Sequence, residues 1–158
     1  MITIRDSITL DCSAEVLWYL LEDPGLMQEW NPKVKDWEAL STGKMGPGYE
    51  FKLLYGMRSK LTWCNVKVAQ YRPHRQLVWE VQPPEAKNIE ATRLSFDLEV
   101  TALHQTRLTQ TVEMPDALIP LPWRWLAKFI LRFGKRQGKG QLERLSELVN
   151  ELGQTAKS

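Results

Sequence analysis

Two cysteines in 158 residues, Cys12 and Cys64, are too few for a disulfide framework or a four-thiolate zinc site. Both fall in segments that read as strand ends or interiors, where a free thiol behaves as a small buried hydrophobe. The two histidines, His74 in RPHR and His104 in ALHQT, lack metal-ligand spacing. Each lies in a turn signal between apolar runs, and a hairpin tip is a poor place from which a general base can reach a substrate. HExxH, the P-loop and GxGxxG do not occur. GKMGPG at 43–48 is rich in glycine but leads into a strand pattern, so the helix N-terminus that would hold a phosphate is missing. No run approaches the roughly 18 apolar residues of a membrane span. The start, MITIRDSITL, lacks the charged-then-apolar order of a signal peptide, so a cytoplasmic location is expected. A net charge of only +2, from 21 basic and 19 acidic residues, excludes generic polyanion binding. No nucleic-acid partner, metal or cofactor is expected.

What remains is an ordinary globular composition, 43% apolar and 25% charged, with one excess: seven Trp against four Tyr and four Phe. The length fits a single domain, expected over 1–152, with GQTAKS (153–158) as a frayed tail. Ile2, Ile4, Ile8 and Leu10 alternate with polar neighbours, a strand signature. Ser13 can cap a helix carrying Val16, Leu17, Leu20 and Leu21 at helical spacing. Asp23-Pro24 opens a second short helix, which Asn31-Pro32 closes. From Val34 to Met114 the chain reads as strands and turns. Tyr49, Phe51, Leu53 and Tyr55 share one face, as do Leu77, Trp79 and Val81, then Thr92, Leu94, Phe96, Leu98 and Val100, and finally Leu108, Gln110, Val112 and Met114. Leu61 and Trp63 are out of phase with Val66 and Val68, which places a bulge near Cys64-Asn65. Short turns between consecutive strands imply an antiparallel meander with one buried face.

After the apolar, proline-rich PDALIPLPW (115–123), a long helical pattern carries Leu126, Ile130, Phe133, Leu145, Leu148 and Leu152 on one stripe. Gly134 and Gly138 leave a bare surface on this helix, for close packing against the sheet or for a ligand; the alternative is a kink. Residues 124–144 hold seven basic residues against Glu143 alone. Arg124, Lys128 and Arg132 recur on one face beside Trp123 and Trp125, which reads either as a solvated surface or as a peripheral contact with an anionic membrane.

Burying one face of such a sheet requires curling it around the final helix. In this order of elements, Ser13-Ala14-Glu15-Val16 with Trp18, Asp23-Pro24, Trp30-Asn31-Pro32, Gly46-Pro47-Gly48, Pro73 with Leu77 and Trp79, and Thr106-Arg107-Leu108-Thr109 resemble the START/polyketide cyclase (SRPBCC) superfamily. The resemblance spans nearly the whole chain and implies an α+β helix-grip fold. That fold is a curved antiparallel sheet of about seven strands wrapped around a long C-terminal helix, with two short helices after strand 1. It also implies a cavity between sheet and helix that binds a hydrophobic small molecule or lipid.

The residues expected to line that cavity are Trp30, Phe51, Trp63, Trp79, Phe96, Phe129 and Ile130. Gln110 and, second to it, Asn65 supply polar anchors, because an unpaired amide on an apolar face costs about 1–3 kcal/mol. No catalytic residue is assigned: Asp97, Glu99 and Glu80 lie on the polar phase of their strands. A cyclase or dehydratase acting on a polyketide-like substrate is the enzymatic alternative and requires a cavity-facing acid/base pair. A non-catalytic adaptor using the basic helix, with a filled core, is the third reading.

Overall fold

The computed structural model describes residues 2–31, 33–57, 60–82, 90–115 and 141–157. The basic and aromatic segment around Trp123–Arg132, together with Phe129 and Ile130, lies outside the described residues. Strand β1 (Ile2–Leu10) is followed by helices α1 (Ala14–Glu22) and α2 (Pro24–Trp30). Six strands follow: β2 (Val34–Ala39), β3 (Glu50–Met57), β4 (Lys60–Arg72), β5 (Gln76–Gln82), β6 (Thr92–Ala102) and β7 (Gln105–Met114). Helix α3 (Gln141–Lys157) closes the described chain and stays helical past Leu152. The strands form one antiparallel sheet in the order β1-β7-β6-β5-β4-β3-β2. This is the helix-grip arrangement.

The helix starts form as their side-chain chemistry dictates. The Ser13 hydroxyl accepts the Val16 amide at 3.3 Å, and the Asp23 carboxylate accepts the Gly25 amide at 2.8 Å, with Pro24 at the first turn of α2. At the end of α1 the Leu20 carbonyl would bond to the amide four residues on, but that residue is Pro24 and has none. The buried Trp30 Nε1 donates to it instead, at 3.0 Å, locking α2 against α1. The Thr106 hydroxyl, also buried, donates to the Cys12 carbonyl at 2.9 Å and ties the β1–α1 junction to β7.

Period-2 alternation gives the sheet two faces. On the outer face, Glu50, Lys67, Glu80, Arg93 and Glu113 stand opposite one another in register across β3, β4, β5, β6 and β7, a row of alternating charge. The Ser7 and Thr109 hydroxyls bond at 2.9 Å, and Gln76 donates to Asp97 at 2.8 Å, on the same face. The inner face carries the apolar phase, onto which α1, α2 and α3 pack through Leu17, Leu20, Leu21, Met27, Leu142, Leu145 and Val149.

Strand β4 corrects the sequence reading. Its register with β3 is continuous from Lys60 to Lys67, with no bulge at Cys64-Asn65; the irregularity lies between Val68 and Gln70. Cys64, Val66 and Val68 therefore point inward, and past the bulge Tyr71 does too, opposite Leu77. Trp63 and Leu61 point outward, 37% and 62% exposed. The large apolar side chains of 61 and 63 suggest an inner phase that the small Thr62 and Cys64 in fact occupy.

Candidate functional site

The inner face divides into two halves. Between β3 and β6 it is filled by an aromatic chain: Trp30 of α2 meets Phe96 of β6 at 6.0 Å, Phe96 meets Trp79 of β5 at 5.7 Å, and Trp79 meets Phe51 of β3 at 5.4 Å, all nearly perpendicular. All four rings are 0% exposed. Edge-to-face pairs of this kind add about 0.5–1.5 kcal/mol each beyond their burial. Trp79 Nε1 is buried without a hydrogen-bond partner. The four aromatics expected to line a cavity are thus together, but as a packed cluster.

Along β6, β7 and β1 burial of the inner face is uneven: Phe96, Leu108, Leu10 and Ile2 are buried, whereas Ile4, Ile8, Leu94, Leu98 and Val112 each keep part of their surface accessible. In the middle of this half stand two polar residues. Gln110 on β7 is in register with Asp6 on β1, and on its other side with Phe96 on β6. Asp6 and Gln110 therefore share the apolar face, and both are half-buried. Gln110 is where the sequence reading places it. Sequence reasoning misses Asp6, although the signal is present: it occupies the same even phase as Ile2, Ile4, Ile8 and Leu10.

The other assignments separate. Asn65 is exposed on the outer face, in register with Lys52 and Gln82. It lines an outer cleft of about 320 Å³ with Glu50, Lys67 and Glu80. Trp63 also leaves the inner set for the outer face, since the bulge lies beyond it rather than at Cys64-Asn65. His74 and His104 sit at exposed hairpin tips with left-handed backbone, φ 66° and 57°. Both cysteines are free and 8% exposed. Burial, and secondarily the charge of Asp11, raise the Cys12 thiol pKa to about 11. Among the described residues no group of three His, Cys, Asp or Glu is placed to hold a metal ion. No described helix is long and apolar enough to cross a membrane.

A polar outer face, helices packed on the inner face and the seven-strand antiparallel order make this a helix-grip protein. A family model described as polyketide cyclase / dehydrase and lipid transport matches residues 1–150, and the chain belongs to that family. Solved structures of the same fold share little sequence with it. A START superfamily protein from Mycobacterium smegmatis has a TM-score of 0.69 at 17% identity, over 95% of this chain and 98% of that one. TTHA0849 from Thermus thermophilus gives 0.67 at 13% identity, over 99% and 100%. Ara h 8.0201 gives 0.64 at 16%, over 95% and 98%. A search of curated proteins found none similar in sequence. Family and fold together support a hydrophobic-ligand-binding or polyketide-cyclase-like protein.

Proposed function

We propose that this protein binds a hydrophobic small molecule or lipid against the β6–β7–β1 half of its inner face, with Asp6 and Gln110 orienting the ligand's polar group. The observation that carries this reading is the Asp6–Gln110 pair, in register among the half-buried apolar residues Ile4, Ile8 and Val112. Holding a carboxylate on an apolar face costs free energy that apolar packing alone does not return. Affinity would come from burial, at about 25 cal/mol per Å² of apolar area. Orientation would come from the pair: an amide presents both donors and an acceptor, whereas an ionised carboxylate only accepts. A ligand hydroxyl or amine can bond to both side chains.

The same pair favours a second reading. A cyclase or dehydratase acting on a polyketide-like substrate needs a group to take a proton within an apolar site, and Asp6 is a carboxylate so placed. Turnover would then fall in Asp6→Asn while binding persists.

Native mass spectrometry of protein purified from cells, followed by organic extraction, tests the binding reading. The expected result is a species heavier than the 18.4 kDa chain. Val112→Trp, which fills the inner face beside Gln110, should lose the extra mass while keeping a cooperative thermal transition. A bare chain that also fails to take up a fluorescent fatty acid would overturn the reading.

A further inference from the structure

A second cleft, of about 390 Å³, opens at the corner where α1 passes into α2, away from the Asp6–Gln110 pair. Its walls include Trp37 from β2, Tyr49 from the turn before β3, Tyr71 from β4, Glu22 and Asp23 from the α1–α2 junction, and Lys44 from the glycine-rich turn. The three aromatic side chains are half-buried and rest on the core cluster, so the core fixes them in place. Glu22 is fixed as well. One of its oxygens, Oε2, accepts from Trp18 Nε1 at 3.0 Å and from the Tyr71 hydroxyl at 2.5 Å. Burial, and then the bond to Glu22, raise the Tyr71 pKa, which keeps the phenol a donor. Trp37 is seated against the first turn of α2, where Gly25 makes room: a Cβ there would meet the indole Nε1 at 3.4 Å and Asp23 Oδ1 at 3.2 Å. Asp23 is already spent on the helix cap.

We infer that this cleft is a binding site for an alkylated ammonium group. Aromatic faces attract a cation through the ring quadrupole, and a bulky, weakly hydrated ammonium gives up less solvation on entering than a metal ion or a primary amine does. Glu22 supplies the opposing charge on a carboxylate whose position is set by two donors before any ligand arrives. An anion is disfavoured by the Glu22 and Asp23 carboxylates, and a neutral apolar group leaves Glu22 without a countercharge. Lys44 is the one opposing feature; it is exposed on the turn, so its flexible stem lets the ammonium swing aside into water. Trimethylammonium as a free metabolite and as a lipid head group shares this chemistry. The inference stands apart from the inner-face reading, which concerns other residues.

The test is an NMR titration of the full chain with choline and with 3,3-dimethylbutanol, its uncharged counterpart of the same shape. Choline is expected to move the Trp37 indole resonance with a Kd on the order of 1 mM, and the alcohol to bind at least about tenfold more weakly. Glu22→Gln should weaken choline binding about tenfold. Trp37→Leu, which leaves the Trp18–Glu22–Tyr71 bonds untouched, should weaken it similarly. Lys44→Ala should strengthen it. Equal affinity for the alcohol, or choline shifts absent from Trp37, Tyr49 and Tyr71, would overturn the inference. Dihexanoylphosphatidylcholine separates the two sources. A lipid head group is indicated if it binds much more tightly than choline; equal affinity indicates the free cation. Because Leu94 and Val112 report the inner face and Trp37 the cleft, failure of one reading is distinct from failure of the other.

Discussion

Trp30 and Trp79 form a natural pair for measuring what a buried indole N–H contributes. Both are 0% exposed and both pack edge-on against Phe96. Replacing either by Phe removes the same atoms and leaves a similar void, at about 1–3 kcal/mol. Beyond that the two diverge. Trp30→Phe removes the donor to the Leu20 carbonyl, and because residue 24 is proline no backbone amide of α1 or α2 takes its place. A buried acceptor left unpaired adds about 1–3 kcal/mol. Trp79→Phe removes an N–H that has no partner, so it recovers a penalty of about that size and offsets most of the void. The expected difference is about 2 kcal/mol or more, with Trp79→Phe close to wild type. In a chain of this length that separates the melting temperatures by roughly 4–8 °C. Urea unfolding with unchanged m-value is the assay. Equal losses in the two variants would refute the reasoning, because void formation would then outweigh hydrogen-bond satisfaction at both sites.

Three further outcomes follow from the described geometry. Lys67→Glu would set a third carboxylate between Glu50 and Glu80 in the outer row, costing about 1–2 kcal/mol, with roughly half returning in 1 M salt; insensitivity to salt would remove the electrostatic account. His104→Gly should leave stability unchanged or raise it by up to about 1 kcal/mol, whereas His104→Val should lose more than about 1, since a β-branched side chain fits poorly at φ 57°. With the Cys12 pKa raised from 9.0 to about 11, the unfolded chain loses the thiol proton first. The protonated thiol's stabilisation is therefore complete below pH 9 and disappears as pH rises through 11, a change on the order of 2 kcal/mol that Cys12→Ala should abolish in pH-dependent unfolding.

The fold was legible because its signals are local and repeat one another. Ser13 and Asp23-Pro24 mark helix starts with side-chain acceptors and a preset φ, and both marks hold to the residue. In β5, β6 and β7 the apolar phase runs unbroken from Leu77 to Val81, Thr92 to Leu98 and Leu108 to Met114, and the registers bear it out. The turn positions of His74 and His104 follow from the same alternation. What alternation does not determine is how the inner face is used. Phe51, Trp79 and Phe96 face inward as read, yet they touch one another rather than an opening, since packing between strands distant in sequence leaves no trace in the period of any single strand.

The site was legible by phase where side-chain size agreed with phase, and obscured where it did not. In β4 the largest apolar side chains, Leu61 and Trp63, lie on the outer face, while the inner positions hold Thr62 and Cys64. Weighting by bulk therefore inverts half the strand and displaces the bulge from 68–70 to 64–65. Asp6 shows the converse. Its phase is unambiguous, with Ile4 before it and Ile8 after, but a carboxylate reads as a solvent residue and drops out of any list built on hydrophobicity. A polar residue that keeps an apolar phase is the stronger functional signal of the two, because an exposed tryptophan costs the fold little whereas a carboxylate on the inner face costs solvation. That logic singles out Gln110 on β7, and applying it to every strand leads to Asp6, its partner in register on β1.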